Sequence, residues 1–463
     1  MKKKLLIALL FSILSFNRIS YAQKNSQDIA KVILNGRKID SEVPPTIVDN
    51  RIFIPVRNVV ESVGGQIEWI PNDNSVTIHY NDSVITFGIE KNMVLVNGVE
   101  IYIEQSPFIK DGRTMIPLRF IATQLNMNVE WVDRLKTASV TEKNYYNNLS
   151  NDVVMGFTVS YYEGDNLSYN SVKNTESLNM VSVFSYSFLG DGSIIEVDKP
   201  QNSTLNYCLG TNIKPIAVIH NINNGNFDKE LIHKLLINSE KRASLINNIV
   251  MMLMENEYMG VNIDFENISR DDKDLFSNFI KELKDELTKY GYLTIISIPA
   301  KTSDRYTSSW NYAFDYEKLG NIADYIMIMT YDEHYTSSSA GAIASIDWVK
   351  NVLDYSKEKI PQQKIILGLA LYGYDWVKTS GQAVPTKNIL KLANTNNVAP
   401  KWDSISKTPY FSYIKDNKYH EVWYENEESL KIKIELAKSY NLGGIGFWRL
   451  GLEETGFLDK ILK

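Results

Sequence analysis

Alternating strand and helix patterns over the last two thirds of the sequence predict an α/β protein built around a (β/α)8 barrel. Three observations support this fold class: a series of short apolar runs, segments of helical period between them, and a duplicated α+β segment in front of them. Eight parallel strands with crossover helices in about 310 residues match the size of such a barrel. The predicted strands are 153–159, 180–188, 213–219, 258–266, 292–298, 325–331, 364–372 and 443–448.

Charge balance and apolar content limit the function classes. The 463 residues are 44 % hydrophobic and 22 % charged, a composition typical of globular protein with a large core. With 49 basic and 55 acidic residues, the net charge is only −6, which argues against nucleic acid as a partner. One cysteine and five scattered histidines offer no internal disulfide and no cluster of metal ligands, so we expect neither a metal nor a cofactor.

The first 22 residues are organised like a secretory signal. A Lys-Lys-Lys head at 2–4 precedes an apolar run at 5–16, and Ser20-Tyr21-Ala22 has the small-x-small pattern of a cleavage site. The apolar run has about 12 residues, whereas a membrane span needs about 20. We therefore expect residues 1–22 to be removed and the mature protein to be secreted without a membrane anchor.

Residues 30–142 contain two copies of one unit at a spacing of 62 residues. Arg51-Ile-Phe-Ile-Pro-Val-Arg57 in the first copy recurs as Arg113-Thr-Met-Ile-Pro-Leu-Arg119 in the second. Each copy is predicted to contain hairpin strands, a short helix (56–63 and 118–125) and a strand that ends the unit. The first domain is therefore expected to be a duplicated small α+β domain.

The same spacing relates Glu68-Trp69 to Glu130-Trp131. Both tryptophans could bind the face of a sugar, although packing is the favoured interpretation. The whole segment resembles the copper amine oxidase N-terminal-like (stalk) domain found on secreted proteins of Gram-positive bacteria, and it has no residues that could ligate copper. The resemblance implies an accessory domain, with attachment to the cell wall or spore surface as its expected role.

The domain boundaries follow from composition and spacing. Residues 143–151 are polar and rich in asparagine, as in a linker, so the second domain is expected at 152–463. The crossover at about 377–441 is too long for one helix and contains two further strand patterns, Tyr410-Phe-Ser-Tyr413 and His420-Glu-Val-Trp-Tyr424. It is predicted to be an α+β insertion between strands seven and eight that forms one wall of a cleft.

Polar and aromatic residues gather at the carboxyl ends of the predicted strands, where barrels of this kind hold their active sites. Asn262, Asp264 and Glu266 alternate along strand four, so their side chains share one face with neighbours roughly 7 Å apart. Glu266 is the predicted general acid, its pKa raised by burial and by the like charge of Asp264, to which Asn262 is predicted to hydrogen-bond. The other strand ends contribute Tyr331, Asp332, Tyr372, Tyr374 and Trp448, a set that favours a carbohydrate site.

The strand-four stretch Gly260-Val-Asn-Ile-Asp-Phe-Glu266 is similar to the DGxDxDxE signature of glycoside hydrolase family 18, whose members include chitinases and endo-β-N-acetylglucosaminidases. The resemblance extends over about 150–463. Four more matching stretches are Met155-Gly-Phe157, Met329-Thr-Tyr-Asp332, Gly368-Leu-Ala-Leu-Tyr-Gly373 and Gly446-Phe-Trp448.

The resemblance implies a retaining, substrate-assisted mechanism, in which the 2-acetamido oxygen of the sugar is the nucleophile and an oxazolinium ion forms. Glu266 would be the acid and then the base, Asp264 would orient the acetamido group, and Tyr331 would hydrogen-bond to its carbonyl. The resemblance also implies Trp448 as the floor of the sugar subsite, with Asp332 and Phe157 nearby. Further candidates for substrate binding are Asn262, Tyr372 and Tyr374.

Departures from the signature shift the expected substrate. Met259 and Asn262 replace two of its acids, and the Asn-x-Asp-x-Glu form, with the stretch at 420–424, resembles the spore cortex-lytic branch of the family. We expect a secreted hydrolase that cleaves β-1,4 linkages of N-acetylglucosamine in peptidoglycan, with spore cortex as the first candidate. The alternatives are a chitinase or endo-β-N-acetylglucosaminidase acting on chitin-like glycan, and a non-catalytic glycan-binding coat protein.

Overall fold

The computed structural model describes residues 30–162, 164–197, 201–305 and 310–463. The predicted secretory signal at 1–22 lies outside these residues. Among the helices of the described ranges, none combines the length and the apolar character that crossing a membrane requires.

Residues 30–142 are rich in β-strands, and the predicted duplication is visible in their element order. The elements are β1 Lys31–Leu34, β2 Arg37–Lys38, β3 Thr46–Val48, β4 Arg51–Pro55, α1 Val56–Ser62, β5 Gln66–Ile70, β6 Ser75–Tyr80, β7 Ser83–Gly88, β8 Met93–Val96, β9 Val99–Tyr102, β10 Phe108–Lys110, β11 Arg113–Pro117, α2 Leu118–Gln124, β12 Met127–Val132 and β13 Thr137–Glu142. Both helices begin at the predicted residues. Each unit ends in a hairpin, not in the single strand predicted, because short 3-10 turns at Pro71–Asp73 and Asp133–Leu135 reverse the chain.

Three sheets hold these strands together, in the orders β12-β13-β1-β2, β10-β11-β4-β3 and β5-β6-β7-β8-β9. The first strand pairs in parallel with the last, with Val32 opposite Ala138, so the two ends of the segment close on each other. Strand β4 pairs with β11, its counterpart in the second unit. The two copies therefore share sheets and one core, in which the rings of Phe87 and Phe120 meet edge to face at 5.8 Å.

Strands and helices then alternate along the chain, as the sequence predicts. The elements are β14 Val153–Thr158, α3 Leu167–Lys173, β15 Met180–Phe188, β16 Ile194–Glu196, α4 Asn202–Leu209, β17 Lys214–His220, β18 Ile222–Asn223, β19 Asn226–Phe227, α5 Lys229–Leu236, α6 Ser239–Asn256, β20 Gly260–Asp264, α7 Lys273–Thr288, β21 Leu293–Pro299, α8 Tyr316–Ile322, β22 Tyr325–Met329, α9 Ile346–Lys357 and β23 Ile365–Ala370.

A separate antiparallel sheet follows β23, in the strand order β25-β24-β28-β27-β26. Its elements and those that complete the chain are β24 Tyr372–Val377, β25 Ser380–Pro385, α10 Thr386–Thr395, β26 Lys401–Asp403, β27 Thr408–Lys415, β28 Lys418–Tyr424, α11 Glu427–Ser439, β29 Gly444–Trp448 and α12 Phe457–Leu462. The predicted insertion and its two strands at 410–413 and 420–424 are confirmed.

The start of this insertion differs from the prediction. Strand seven ends at Ala370, whereas the sequence pattern extended it to Tyr372 and placed Tyr374 at its end. The backbone N–H of Leu371 donates to the carbonyl of Trp448 at 2.9 Å, and from Tyr372 onward the chain pairs with β25 and β28 instead of the barrel. The apolar run continues without a break at this point, so the sequence pattern could not reveal that the chain leaves one sheet and joins another.

The eight predicted strands form a closed parallel barrel in the order β14-β29-β23-β22-β21-β20-β17-β15, closed by pairing of β14 with β15. The fold class is thus confirmed. Crossover helices cover the outside, and the buried face of α7, with Phe276, Phe279, Ile280, Leu283 and Leu287, has helical spacing. The carboxyl ends of all eight strands open on one side of the barrel, where the inserted sheet also lies next to β23.

The N-terminal domain packs against the opposite side, at the amino ends of the barrel strands. Arg37 Nη2 donates to the carbonyl of Thr211, which precedes β17, at 2.5 Å. Ser139 Oγ donates to the carbonyl of Tyr290, which precedes β21, at 2.9 Å. The backbones approach so closely at Gly36 and Gly291 that a Cβ atom on either would lie 2.8 Å from the other turn. The first-unit Asn-Gly turn therefore has a packing role besides the turn itself.

The segment at 143–151 is also tied to the amino ends of the strands. It contains a 3-10 turn, Tyr145–Asn148, and the hydroxyl of Tyr146 donates to the carbonyl of Tyr292 at 3.1 Å. The ammonium of Lys284 lies 3.6 Å from the centre of the Tyr146 ring, and Tyr325 donates to the carbonyl of Ser150 at 2.7 Å. The polar linker composition thus corresponds to a packed connection.

A buried ion pair joins the inserted sheet to the barrel. Lys433 on α11 lies 2.9 Å from both carboxylate oxygens of Glu425, which follows β28, and both side chains are at most 2 % exposed. We expect Lys433→Met to lower the free energy of unfolding by about 3–5 kcal/mol, because it leaves Glu425 buried without its cation. Denaturant unfolding of the full chain at neutral pH measures this.

The matched control is Lys431→Met on the same helix, which removes an exposed pair with Glu427. Its expected cost is below about 1 kcal/mol. Equal effects of the two substitutions would contradict the structural importance of the buried pair.

Candidate active site

The carboxyl ends of the barrel strands surround a cleft of about 910 Å³. Carboxyl groups from two strand ends reach it, and aromatic side chains make up much of the remaining wall. A cleft with few polar groups among aromatic rings suits a small, largely uncharged ligand such as a sugar. The aromatic residues that line it are Phe157, Tyr161, Phe184, Phe227, Trp310, Tyr331, Tyr335, Trp348, Tyr374 and Trp448.

Asp264 and Glu266 lie together at the end of β20. The strand ends at Asp264, so Glu266 lies two residues beyond it and not at its last position as predicted. Asp264 is only 6 % exposed, and burial raises its pKa. Burial, followed by the like charge of Asp264, raises the pKa of Glu266 as well. The pair therefore retains a proton in a pH range where an exposed carboxyl would have lost it.

Two residues that the sequence analysis did not single out hold Glu266 in place. Asn221, directly after β17, accepts the backbone N–H of Glu266 at 2.9 Å and donates to its carbonyl at 2.9 Å. Trp310 Nε1 donates to Glu266 Oε2 at 2.8 Å. The indole N–H stabilises the ionised carboxylate, so it lowers the pKa of Glu266 against the larger effect of burial.

Asp264 and Asn262 are not hydrogen-bonded to each other, which corrects the sequence prediction. Asn262 Oδ1 instead accepts the hydroxyl of Ser297 at 3.0 Å, because β21 lies directly beside β20. Asn262 Nδ2 and Asp264 Oδ1 are both buried without a hydrogen-bond partner among the described residues. An orphaned carboxylate oxygen at the base of a cleft requires a donor, and a bound ligand can supply one.

His220 is the barrel neighbour of Asp264, opposite it in the pairing of β17 with β20. Its Nδ1 accepts the backbone N–H of Ile222 at 3.0 Å, and its ring stacks on Phe184 with centroids 5.0 Å apart. Burial lowers the pKa of His220 to about 4, so the ring is neutral and its proton must be on Nε2. His220 thus lines the cleft as a neutral N–H donor.

Trp448, the last residue of β29, forms part of the cleft wall together with two phenylalanines. Its ring centroid lies 5.5 Å from that of Phe157 and 5.4 Å from that of Phe184, both in edge-to-face contact. These contacts fix the indole from two sides and leave it partly exposed to the cleft. A fixed, partly exposed indole offers a flat apolar surface to the face of a sugar ring.

Asp332 and its partners connect the barrel to the inserted sheet. Asp332 Oδ1 accepts the hydroxyl of Tyr372 at 2.6 Å and that of Tyr374 at 3.0 Å. Both tyrosines belong to β24 of the insertion, so this sheet positions a carboxylate at the mouth of the barrel. Tyr331, the preceding residue, faces the cleft, and burial raises its pKa well above the usual value, which keeps its hydroxyl protonated.

The structure brings most of the predicted residues to the cleft: Glu266, Asp264, Tyr331, Trp448, Asp332, Phe157 and Tyr374 all line it. Two do not. Asn262 is fully buried beneath Asp264, and Tyr372 lies behind Asp332 because the chain has already left the barrel at Leu371. Direct contact of these two with a ligand, as predicted, is not supported by their positions. Within the described ranges, no three His, Cys, Asp or Glu residues are grouped to hold a metal ion.

Comparison with known proteins agrees with this geometry. A glycosylase of Bacillus subtilis, YvbX, is 35 % identical over 315 residues, covering 66 % of this chain and 91 % of the relative. The spore cortex-lytic enzyme SleL of Bacillus cereus aligns with a TM-score of 0.63 at 28 % identity, covering 67 % of this chain and 73 % of that structure. A chitinase of Chromobacterium violaceum aligns with a TM-score of 0.64 at 30 % identity, covering 67 % and 98 %.

The barrel, the buried carboxyl pair and the aromatic cleft define the class of the protein as a glycoside hydrolase. The family model for glycosyl hydrolases family 18 matches residues 157–453, and the chain belongs to this family. The model for the copper amine oxidase N-terminal domain matches residues 33–140. Both resemblances stated from the sequence are thus confirmed.

Proposed function

We propose that the protein is a secreted, retaining hydrolase that cleaves β-1,4 linkages of N-acetylglucosamine in peptidoglycan, with spore cortex as the first candidate. The observation that carries the proposal is Asp264, whose buried Oδ1 has no partner among the described residues while Glu266 lies beside it in the cleft. The 2-acetamido N–H of an N-acetylated sugar would supply the missing donor. The likeness to the cortex-lytic SleL supports the choice of peptidoglycan.

Glu266 starts the reaction as the general acid. Its raised pKa keeps it protonated, so it can give its proton to the glycosidic oxygen as the bond to C1 breaks. The acetamido oxygen of the same sugar attacks C1 from the other face and forms the oxazolinium ion. Water then opens this ion, and the carboxylate of Glu266 takes the proton of that water, which returns the enzyme to its starting state with retention at C1.

The other cleft residues bind and orient the sugar. Asp264 holds the acetamido N–H and stabilises the positive charge that develops on the ring. The protonated hydroxyl of Tyr331 donates to the acetamido oxygen, and the Trp448 indole supports the face of the sugar. Asp332, fixed by Tyr372 and Tyr374, adds a hydrogen-bond acceptor at the rim of the cleft.

A chitinase is the second candidate function, and one observation favours it. The chitinase of Chromobacterium violaceum has a TM-score and identity comparable to those of SleL. Nothing in the mechanism above depends on a muramic acid residue, since the acetamido group of either glycan supplies the nucleophile. The non-catalytic alternative has no such support, because Glu266 and Asp264 are both present and lie together in the cleft.

The test is digestion of spore cortex, vegetative cell wall and chitin by the chain without residues 1–22, followed by mass analysis of the fragments. We expect cortex fragments that end in a reducing N-acetylglucosamine. Fragments that end in reducing muramic acid would refute the bond assignment, and release from chitin alone would favour the second candidate.

We expect the hydrogen bond from Trp310 to influence the pH above which the rate of hydrolysis falls. Trp310→Phe removes the N–H donor that lowers the pKa of Glu266, so this pKa rises and Glu266 remains protonated to higher pH. We expect the alkaline limb of the kcat/KM profile to move to higher pH by roughly half a unit to one unit. The pH profile of hydrolysis of a soluble N-acetylglucosamine oligomer measures this. Trp348→Phe, elsewhere in the cleft wall, is the control, and an equal shift in both variants would contradict the role of the hydrogen bond.

A further inference from the structure

A second large cavity, of about 1060 Å³, lies in the N-terminal domain. It is a groove between helix α2, strand β12 and the end of β9, and we refer to it as the second-unit groove. The N-terminal domain contacts the barrel at the amino ends of its strands, whereas the catalytic cleft opens at the carboxyl ends. The second-unit groove therefore cannot extend the catalytic cleft, and any ligand it holds is bound separately.

Three aromatic side chains line this groove. Tyr102, at the end of β9, is 72 % exposed. Trp131 on β12 is partly exposed, and its indole N–H points to Asp133 Oδ1 at 3.4 Å. Phe120 on α2 lies at the base of the groove, against Phe87. Partly exposed rings that share one concave surface are a common basis for ligand binding.

The duplication supplies an internal comparison, because each groove residue from the second unit has a counterpart 62 positions earlier. At three positions the second unit has aromatic or neutral residues where the first has polar or acidic ones, whereas Trp131 has Trp69 as its counterpart. The pairs are Tyr102 with Asp40, Phe120 with Asn58 and Thr123 with Glu61. Since both units adopt the same order of strands and helix, the fold does not require an aromatic residue at the exposed position of Tyr102.

The same comparison identifies an arginine of the second unit whose side chain has no partner among the described residues. Arg57 in the first unit lies 2.9 Å from Glu61, four residues later on α1. Its counterpart Arg119 faces Thr123 instead, and among the described residues its guanidinium has no ion pair or hydrogen bond. The other cations of the groove are neutralised, as Arg51 contacts Glu104 and Lys136 lies 2.7 Å from Asp133.

We propose that the second-unit groove binds a carboxylate-bearing N-acetylated glycan and tethers the enzyme to its insoluble substrate. Tyr102 and Trp131 stack on sugar faces, and Arg119 pairs with a carboxylate of the glycan. A single groove cation without a partner among the described residues suits a polymer with widely spaced carboxylates, whereas a nucleic acid would need several. The identity of the polymer as peptidoglycan rests on the proposed function, and the groove supplies the specificity for its acidic groups.

The test is co-sedimentation of the full chain with insoluble peptidoglycan, in a Glu266→Gln background that prevents digestion. We expect Tyr102→Ala and Arg119→Ala each to raise the dissociation constant by about 3- to 10-fold, the loss of one stacking or charged contact. Arg57→Ala is the matched control from the first unit and should bind like the parent. Both target residues are exposed, and thermal unfolding midpoints equal to that of the parent show that the variants fold.

Binding and catalysis are measured in separate assays. In chains that retain Glu266, Tyr102→Ala should leave hydrolysis of soluble glycan fragments unchanged and slow hydrolysis of the insoluble polymer. Equal binding by Tyr102→Ala, Arg119→Ala and Arg57→Ala overturns the tether proposal whatever the enzyme cleaves. Equally tight binding of the parent to uncharged chitin overturns the carboxylate specificity. Failure of the parent to hydrolyse any peptidoglycan, with binding intact, refutes the proposed function alone.

Discussion

Glu266→Gln is expected to lower kcat for N-acetylglucosamine oligomers by about 10²–10⁴-fold, the usual contribution of a general acid. The amide has nearly the shape of the carboxyl group but cannot protonate the leaving oxygen. The backbone contacts of Glu266 with Asn221 are unaffected by the change, so the loop after β20 should keep its position. KM should therefore change little while kcat falls.

Steady-state kinetics on a soluble oligomer measure the effect, with Glu255→Gln as the control. Glu255 is an exposed carboxyl on α6, remote from the cleft, and its loss should not alter the rate. A Glu266→Gln variant with more than about a tenth of the parent kcat would refute Glu266 as the acid, because general acid catalysis contributes at least about 10²-fold.

The barrel could be predicted from the sequence because most of its strands are short, largely apolar runs separated by segments of helical period. A strand buried on both faces shows no alternation, and its ends are marked only where apolar residues stop. That rule correctly places the start of β14 at Val153 and the end of β29 at Trp448. It fails at Leu371, where the chain moves from the barrel to the inserted sheet with no change in polarity. The insertion was recognised from its excess length, and its first strand was assigned to the barrel.

The site was predictable where its residues follow one strand and was not where they come from loops. Asp264 and Glu266 are two positions apart in the sequence, so their proximity follows from local geometry. Trp310 reaches Glu266 from a connection 44 residues later that has no recognisable motif. Asn221 had a weak signal, since it directly follows a predicted strand end. Its contact with Glu266 depends on the register of β17 against β20, which the sequence does not specify.

The buried atoms of Asn262 and Asp264 that lack a hydrogen-bond partner among the described residues show the same limit of prediction from sequence. Alternation along β20 correctly put both side chains on one face, but the nearest partner of Asn262 is Ser297 on the adjacent strand. In the pairing of β20 with β21, Ser297 lies two residues beyond Ile295, the residue opposite Asn262, so this hydrogen bond depends on the register between two strands, which the sequence does not specify. Within the described ranges, one oxygen of Asp264 has no protein donor, which is the feature that makes it available to substrate.

Asp264→Asn is expected to lower kcat by about 10²–10³-fold, the usual cost of removing a group that stabilises transition-state charge. It should also change the pH dependence. The charge of Asp264 raises the pKa of Glu266, so the neutral amide lowers that pKa, and the alkaline limb of the kcat/KM profile should move to lower pH. This shift is opposite in sign to the one expected for Trp310→Phe. Rate profiles of the two variants and the parent in one set of buffers measure both.

The same substitution should stabilise the folded protein at alkaline pH. Burial raises the pKa of Asp264 in the folded state above that of the unfolded chain, so between those two pKa values the folded state binds a proton that the unfolded state has lost. The free energy of unfolding of the parent therefore falls as pH rises through this window, and the amide removes that loss. We expect the variant to be more stable than the parent at pH 8 by on the order of 1 kcal/mol or more, with a smaller difference at pH 5. Denaturant unfolding at both pH values measures the difference, and a gap that stays constant from pH 5 to pH 8 would mean that Asp264 is not held protonated by its surroundings.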